Sequence, residues 1–263
     1  MTDAAAPRPS FARQNRKILL GSLSVGVFFI AWQAVFLLVP FNSLFITKPS
    51  LMFEALGRLT ASGQLFFDLR ASAAPFFWGL GAAVVVGVPL GILMGWRVRV
   101  GLSLDPLLTA LYASPLVALA PLVVIFLGVG ATGKAFIVFL LTVFDFVFNA
   151  YAGVRAVDNL LLNVVRSFGG KERDLYLKVI LPSVMPYIVA GARIGVGRAL
   201  IGVLIGEFFA ASEGIGYGIV RFGNFFALDS MFAYILVVTL IAVALTRGIR
   251  WAEQTAFPWR AGQ

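Results

Sequence analysis

The sequence predicts an all-α integral membrane protein with six transmembrane helices, and three observations carry that expectation. Of its 263 residues, 60% are hydrophobic and 13% charged, against roughly 25% charged in an ordinary soluble domain. Spanning about 30 Å of hydrocarbon takes roughly 20 helical residues, and residues 18–39, 71–96 and 106–133 run for 22, 26 and 28 residues without a charge. The basic residues are also divided unevenly between the two sides that six spans would create.

The first span, within residues 17–40, follows Arg13, Arg16 and Lys17 as a secretory signal would. Its apolar run exceeds the roughly 7–15 residues of a signal core and no small-x-small cleavage site follows it, so it reads as a retained anchor. Residues 1–16 form a tail on its inner side, with residues 1–12 rich in Ala and Pro and without periodicity. Between the first and second spans, Leu51, Ala55, Leu56, Leu59, Leu65 and Leu69 recur near helical spacing, with Glu54, Arg58 and Asp68 between them. This predicts an amphipathic helix that either lies on the outer interface or packs on the bundle.

The second span, 71–96, carries Gly87, Gly91 and Gly95 four residues apart. In lipid such a stripe of small residues lets helices approach closely, within a tight bundle or across a dimer. The third, 106–133, contains Pro106, Pro115 and Pro121. Each removes a backbone donor, so this span is bent or broken. A break at membrane depth is tolerated where the freed carbonyls face protein or a water-filled route.

The fourth span, 135–154, contains Asp145; the fifth, 187–209, contains Arg193, Arg198 and Glu207; the sixth, 230–246, is uncharged. The fifth repeats the small-residue pattern at Gly191, Gly195, Gly202 and Gly206. Residues 251–263 form a second inner tail.

Ionisable residues inside a span usually face a bundle interior, a partner or a water-filled route. Asp145 and Asn149 stand four residues apart, placed to share a hydrogen bond across helices. Arg198 lies nearest mid-span and is the candidate for meeting an anionic solute; a structural ion pair is the alternative. Asp145, Asn149 and Glu207 join it as candidate pathway residues.

Several chemistries are excluded. Without cysteine there is no disulfide or thiolate metal site, and without histidine no imidazole catalysis or ligation. No phosphate-binding GxxxxGK[ST] loop and no nucleophile–base pair occurs, and Gly214-x-Gly216-x-Gly218 reads as a turn. The net charge of +9 does not point to nucleic acid. Fourteen basic residues (Arg8, Arg13, Arg16, Lys17, Arg97, Arg99, Arg155, Arg166, Lys171, Arg173, Lys178, Arg247, Arg250 and Arg260) fall on one side. Five (Lys48, Arg58, Arg70, Lys134 and Arg221) fall on the other. That is the asymmetry that keeps basic loops in the cytoplasm. It places both termini and the loop 155–186 there.

That loop is the most polar stretch of the chain, with Arg166, Lys171, Glu172, Arg173, Asp174 and Lys178 within residues 166–178. So much charge between two apolar spans points to a partner in the water. Residues 167–178 can form one or two short helices, and Pro182 and Pro186 are expected to separate them from the fifth span.

The spacing Gly169, nine residues, Val179-x-Leu181-Pro182 resembles the cytoplasmic coupling motif of binding-protein-dependent ABC importer permeases, EAA-x3-Gly-x9-Ile-x-Leu-Pro. Tyr112 to Pro115, Leu127 to Gly130, Asn149 to Arg155 and Gly206 to Phe209 are similar to the nitrate/sulfonate/taurine branch. Asn163, Val164 and Val165 stand at the EAA positions, so the usual acidic start is missing, and Val179 replaces Ile. The resemblance implies the type I importer permease fold of the methionine-permease kind over residues 60–250. It implies ATPase coupling through Arg166, Gly169, Lys171, Glu172, Arg173, Leu181 and Pro182. It further implies a pair of permease subunits in a bacterial inner membrane, ATP bound and hydrolysed only by separate ATPase subunits, and an extracytoplasmic solute-binding protein at residues 41–70 and 211–229. The solute would be a small oxyanion or organosulfur acid, or alternatively a vitamin precursor. A secondary transporter is the competing class, but it leaves the charged loop without a purpose.

Overall fold

The computed structural model describes residues 11–38 and 46–256. Residues 1–10, 39–45 and 257–263, and with them most of both predicted tails, lie outside the described residues. Every described element is helical. In chain order they are α1 (Phe11–Leu38), α2 (Pro49–Ala61), α3 (Gln64–Trp96), α4 (Val98–Ala113), α5 (Ala120–Leu127) and α6 (Ala131–Arg155). After these come α7 (Asn159–Ser167), α8 (Glu172–Leu175), α9 (Leu181–Ala210), α10 (Ile215–Asn224) and α11 (Leu228–Ala256).

Among the described residues, four helices are long and apolar enough to cross a membrane: Gln64–Trp96, Ala131–Arg155, Glu172–Phe209 and Leu228–Thr255. The pair Val98–Ala113 and Leu116–Leu127, bent by 78°, makes a fifth if counted as one broken span. The apolar part of α1, Leu20–Phe36, is shorter. Four or five spans therefore meet the expected length and apolarity among the described residues, and with α1 the count of six is approached though not exactly reached. The helix α1 begins at Phe11 and α11 continues to Ala256.

The helix α6 is the axis of the bundle. It lies between α3 and α9, and glycines let both approach it. A Cβ at Gly87 of α3 would sit 2.7 Å from the Val143 carbonyl oxygen; Gly79 and Gly91 meet the carbonyls of Ala135 and Val147 in the same way, and Gly95 meets the Val154 side chain. On the other side, Gly191, Gly195, Gly202 and Gly206 of α9 lie against Asn149, Phe146, Val138 and Lys134. In lipid, where apolar side chains gain little by associating, close backbone contact supplies the packing energy. The glycine stripes therefore build the bundle.

The predicted break in the third span is real and falls at Ser114-Pro115. Pro106 is accommodated inside α4, whereas Pro115 starts a short 3₁₀ turn, Leu116–Leu119, and Pro121 opens α5. The Ser114 hydroxyl donates to the Ala110 carbonyl and the Ala118 N–H to that of Pro115, which covers part of the freed backbone.

Two expectations about helices need correction. The amphipathic stretch 51–69 is two helices, because Gly63 with φ 77° ends α2 and starts α3. Met52, Ala55 and Leu59 of α2 are buried with Ala233 and Tyr234 of α11, so α2 packs on the bundle and does not float at an interface. Nor do Pro182 and Pro186 separate the loop from the fifth span. A proline cannot donate and its ring clashes with the carbonyl four residues back. Here a π turn, Tyr176–Ile180, absorbs the conflict: the Leu181 N–H bonds to the Tyr176 carbonyl, five residues back, and the helix continues as Glu172–Phe209.

Candidate functional site

Three polar centres stand out along the bundle: the loop 155–186, a mid-span pair on α6 and α9, and a buried knot at the opposite end.

In the loop, Asp158 caps α7 by accepting from the Leu160 N–H at 2.8 Å. The helix ends in a Schellman turn: Gly170 donates to the Val165 carbonyl at 2.9 Å and Gly169 to that of Arg166 at 3.0 Å. This geometry needs a left-handed residue just past the helix, and Gly169 supplies φ 76° without a Cβ penalty. Asp174 then reaches back to the Lys171 N–H at 3.1 Å and starts α8. Asn163, Val164 and Val165 lie on α7, so the missing EAA residues leave the helix intact. Leu162 anchors it against the cluster of Ile92, Ala150, Val154, Ile180 and Val184, and half-buried Leu181 packs there too. Leu160, Leu161, Val164 and Phe168 are left facing outward, Phe168 at 88% exposure. Arg155, Arg166, Lys171, Arg173 and Lys178 are exposed on the same loop, as is Pro182. Glu172 is also exposed and reaches Arg97 at 3.5 Å.

At mid-span, Arg198 of α9 places Nη1 3.2 Å from Asp145 Oδ1 of α6, and its guanidinium lies over the Tyr112 ring at 4.8 Å. The Tyr112 hydroxyl donates to the same Oδ1 at 3.3 Å. Both donors thus converge on one oxygen, and Oδ2, although buried, has no hydrogen-bond partner among the described residues. Asn149 does not reach across helices as expected. Its amide donates at 2.7 Å to the Asp145 backbone carbonyl in its own helix. Sequence reasoning missed Tyr112, whose position two residues before the Ser114-Pro115 break was the available signal. Arg193 pairs with Glu253 of α11.

Glu207 sits at the far end of α9, 1% exposed. Ser72 donates to its Oε1 at 2.7 Å, the Gly216 N–H to its Oε2 at 2.7 Å, and Lys134 approaches Oε1 at 3.9 Å. Asp68, equally buried, accepts from the Gly214 N–H, Gln64 and Tyr234, while Ser72 accepts from the Ile215 N–H. The first amides of α10 are therefore held by Asp68, Ser72 and Glu207, where the helix dipole favours negative charge. Gly214-x-Gly216-x-Gly218 is more than a turn: a Cβ at 216 would meet Glu207 Cβ at 2.8 Å, and one at 218 the Tyr234 ring at 2.6 Å. Among the named pathway candidates, Arg198, Asp145 and Asn149 cluster at mid-span, and Glu207 lies apart from them in this knot. No group of three or more metal-ligating side chains occurs among the described residues.

Residues 87–256 match the family described as binding-protein-dependent transport system inner membrane component. The chain belongs to that family. It is a permease subunit of an ABC importer, with several apolar membrane helices. It is 32% identical over 252 residues to the taurine transport system permease protein TauC of Escherichia coli K12, covering 93% of this chain and 91% of that one. It is 34% identical over 203 residues to the formylaminopyrimidine transport permease protein ThiX of Halalkalibacterium halodurans, covering 77% and 81%. The aliphatic sulfonates permease SsuC of Bacillus subtilis, a putative assignment by its own name, is 29% identical over 259 residues, covering 98% and 94%. A solved structure of the inward-facing MetNI methionine ABC transporter has a similar fold, with TM-score 0.63 at 13% identity, covering 74% of this chain and 97% of that one.

Proposed function

We propose that this permease forms the pathway for a small acid-bearing solute and that α7, Gly169 and α8 dock it to a separate ATPase subunit, which binds and hydrolyses the ATP. The observation that carries this reading is the outward stripe of Leu160, Leu161 and Val164 on a short helix, continued by Phe168 just past its end and rimmed by exposed basic residues. An amphipathic helix with i, i+4, i+8 apolar anchors suits a groove on another protein. In this reading both termini and the loop are cytoplasmic, two copies of the chain surround one pathway, and an extracytoplasmic solute-binding protein delivers solute to residues 41–70 and 211–229. Movement of the docked helices is transmitted through the continuous helix Glu172–Phe209 to mid-span, a rigid-body gating of the kind packed bundles support. The solute class follows the names of the taurine and sulfonate relatives. The formylaminopyrimidine relative supports a vitamin precursor as the second reading.

The test is co-purification of the tagged chain with an ATPase subunit from its native membrane. The wild-type chain is expected to retain the ATPase. Gly169→Val, which forces a β-branched residue into the left-handed region, is expected to insert normally but lose both the ATPase and uptake. Full uptake by Gly169→Val, or a wild-type chain that purifies without an ATPase, overturns the docking assignment.

A further inference from the structure

We propose that the groove between α1 and α11 holds an anionic phospholipid, its acyl chain along the groove and its phosphate on Arg247 and Arg250. Neither the mid-span pair nor the loop 155–186 takes part.

Among the described residues, α1 is tied to the bundle near its C-terminal end. Gln33 accepts from the Ser50 N–H at 3.2 Å, the Phe29 ring lies 5.8 Å from that of Phe53, and the Trp32 ring lies 5.7 Å from that of Phe232. Toward the N-terminus, Leu20, Leu23 and Val27 are more than half exposed. Between the two helices runs a groove of about 730 Å³, walled by Phe28, Trp32, Val35, Ile235, Leu236 and Thr239. Pockets of roughly 300–1,000 Å³ are of the size that takes a small molecule. Thr239 is the one polar side chain among these six, so a hydrocarbon chain suits the groove and a hydrophilic solute does not.

The register of α11 decides what stands at the end of the groove. Its exposed residues Ile235, Thr239, Val243, Arg247 and Trp251 recur every four positions, with exposed Arg250 beside them. One helix face therefore runs from the groove to two arginines and a tryptophan. Arg247 and Arg250 lie roughly 12–17 Å along the helix from Thr239, at 1.5 Å per residue. Half of a hydrocarbon core is about 15 Å, so a lipid with its phosphate on the arginines extends its chain to the groove floor. Neither arginine pairs with a carboxylate among the described residues, and nearby Glu253 is held by Arg193 of α9. Gly248 has open space around it, which leaves room for a headgroup. On the other wall, α1 crosses in the opposite direction. Lys17 and Arg247 each stand fifteen residues from the Trp32–Phe232 contact, so Arg13, Arg16 and Lys17 fall at the level of the two arginines. Interfacial basic residues anchor many membrane helices. Here both walls carry them at one level, around a gap that the protein does not fill. Their charge selects an acidic headgroup, and the seated lipid joins the unpacked length of α1 to the bundle.

The experiment is native mass spectrometry of the purified full-length chain from mixed micelles holding equal amounts of phosphatidylglycerol and phosphatidylcholine with the same acyl chains. The wild-type chain is expected to retain phosphatidylglycerol at least about tenfold over phosphatidylcholine, since each Lys or Arg near a membrane surface favours an anionic headgroup by about fivefold. Arg247→Gln with Arg250→Gln should bring the ratio close to one. Arg97→Gln with Arg99→Gln, exposed basic residues at the same end of the bundle, should leave it unchanged. Thr239→Trp fills the groove floor with the arginines intact and should lower retention of the lipid, which separates a seated chain from a headgroup held on the surface. Equal retention of the two lipids by the wild-type chain overturns the proposal, and that comparison needs no variant to fold. So does a ratio that the 247 and 250 pair lowers no more than the control pair, or full retention by Thr239→Trp. If Thr239→Trp instead breaks up a dimer seen in the wild-type spectrum and leaves lipid retention unchanged, the groove belongs to a second copy of the chain and the lipid assignment falls.

Discussion

The knot around Glu207 and the pair at Asp145 use the same ingredients and finish differently. Each sets a buried carboxylate from one helix against a cation from another, with a tyrosine hydroxyl on an aspartate nearby. In the knot, both oxygens of Glu207 and both of Asp68 accept hydrogen bonds, and three of the donors are backbone amides at the start of α10 or the serine that holds one. At mid-span, Arg198 and Tyr112 crowd one oxygen of Asp145 and the other has no donor among the described residues. A saturated centre has nothing left to offer a solute and serves to pin the fold. An unsaturated one is stable only because the surrounding helices hold it, and it has valence to spare. Intramembrane charge is therefore weak evidence of function until the hydrogen bonds are assigned atom by atom.

The largest expected effect is at the knot. Glu207→Leu leaves Lys134, 6% exposed, without its carboxylate and removes the acceptor of the Gly216 N–H and the Ser72 hydroxyl. Stranding one partner of a buried pair costs about 3–5 kcal/mol, so the variant should lose most of its folded yield and its thermal transition in detergent should fall sharply. The paired replacement Asp145→Leu with Arg198→Met should behave oppositely. Replacing both members removes the desolvated carboxylate together with its half-exposed cation, so no charge is left unpaired. This double variant should melt at or above the wild-type temperature while binding no acid-bearing probe. If it unfolds as Glu207→Leu does, the mid-span pair is a structural pin as well and the contrast fails.

A smaller effect separates glycine conformation from glycine space. Gly216→Ala places a Cβ within 3.0 Å of Glu207 Oε2 and the Leu204 carbonyl oxygen, and overpacking of this kind costs about 1–3 kcal/mol. Gly197→Ala, on the same membrane helix as Arg198 but with open space around it, should leave the melting temperature unchanged or slightly raised, since alanine is the better helix former.

How far these centres could be read from the sequence follows from which interactions are local. Helix positions were legible because an uncharged run of membrane length is too apolar to stay in water and long enough to cross a bilayer. The break at Pro115 was legible because proline acts on its own backbone. The faces at Gly87, Gly91 and Gly95 were legible from their spacing, and they do meet α6. Pro182 misled because its consequence depends on whether the preceding turn can widen, which the π turn at Tyr176–Ile180 does. Glu207 was visible as an intramembrane charge, but its partners were not. Ser72 lies 135 residues away, and Asp68 read as part of the polar face of an outer helix although it is 1% exposed. The Gly214-x-Gly216-x-Gly218 run read as a turn because its demand for glycine comes from Glu207 and Tyr234, which only the fold brings near. In loop 155–186 the Gly169 turn and the caps of α7 and α8 are set by residues close in sequence.

The finest test of the contrast is a matched pair of hydroxyl deletions. Tyr234 is fully buried and donates to Asp68 Oδ2, an oxygen whose other donor is the half-buried Gln64 amide at 2.9 Å. Tyr112 is half-buried and donates at 3.3 Å to an oxygen that Arg198 already approaches at 3.2 Å. Both substitutions to Phe keep the ring, so Tyr112→Phe preserves the aromatic face under Arg198. Removing one partner of a buried hydrogen bond costs about 1–3 kcal/mol, and Tyr234→Phe should fall in that range by denaturant titration in mixed micelles. Tyr112→Phe should cost less than about 0.5 kcal/mol, because a 3.3 Å bond from a half-buried hydroxyl contributes little. Equal losses at the two sites would mean that the mid-span hydroxyl carries a structural load like that of Tyr234. Asp145 would then be pinned in place and unable to exchange its partner, and the distinction between a saturated and an unsaturated centre would not describe this bundle.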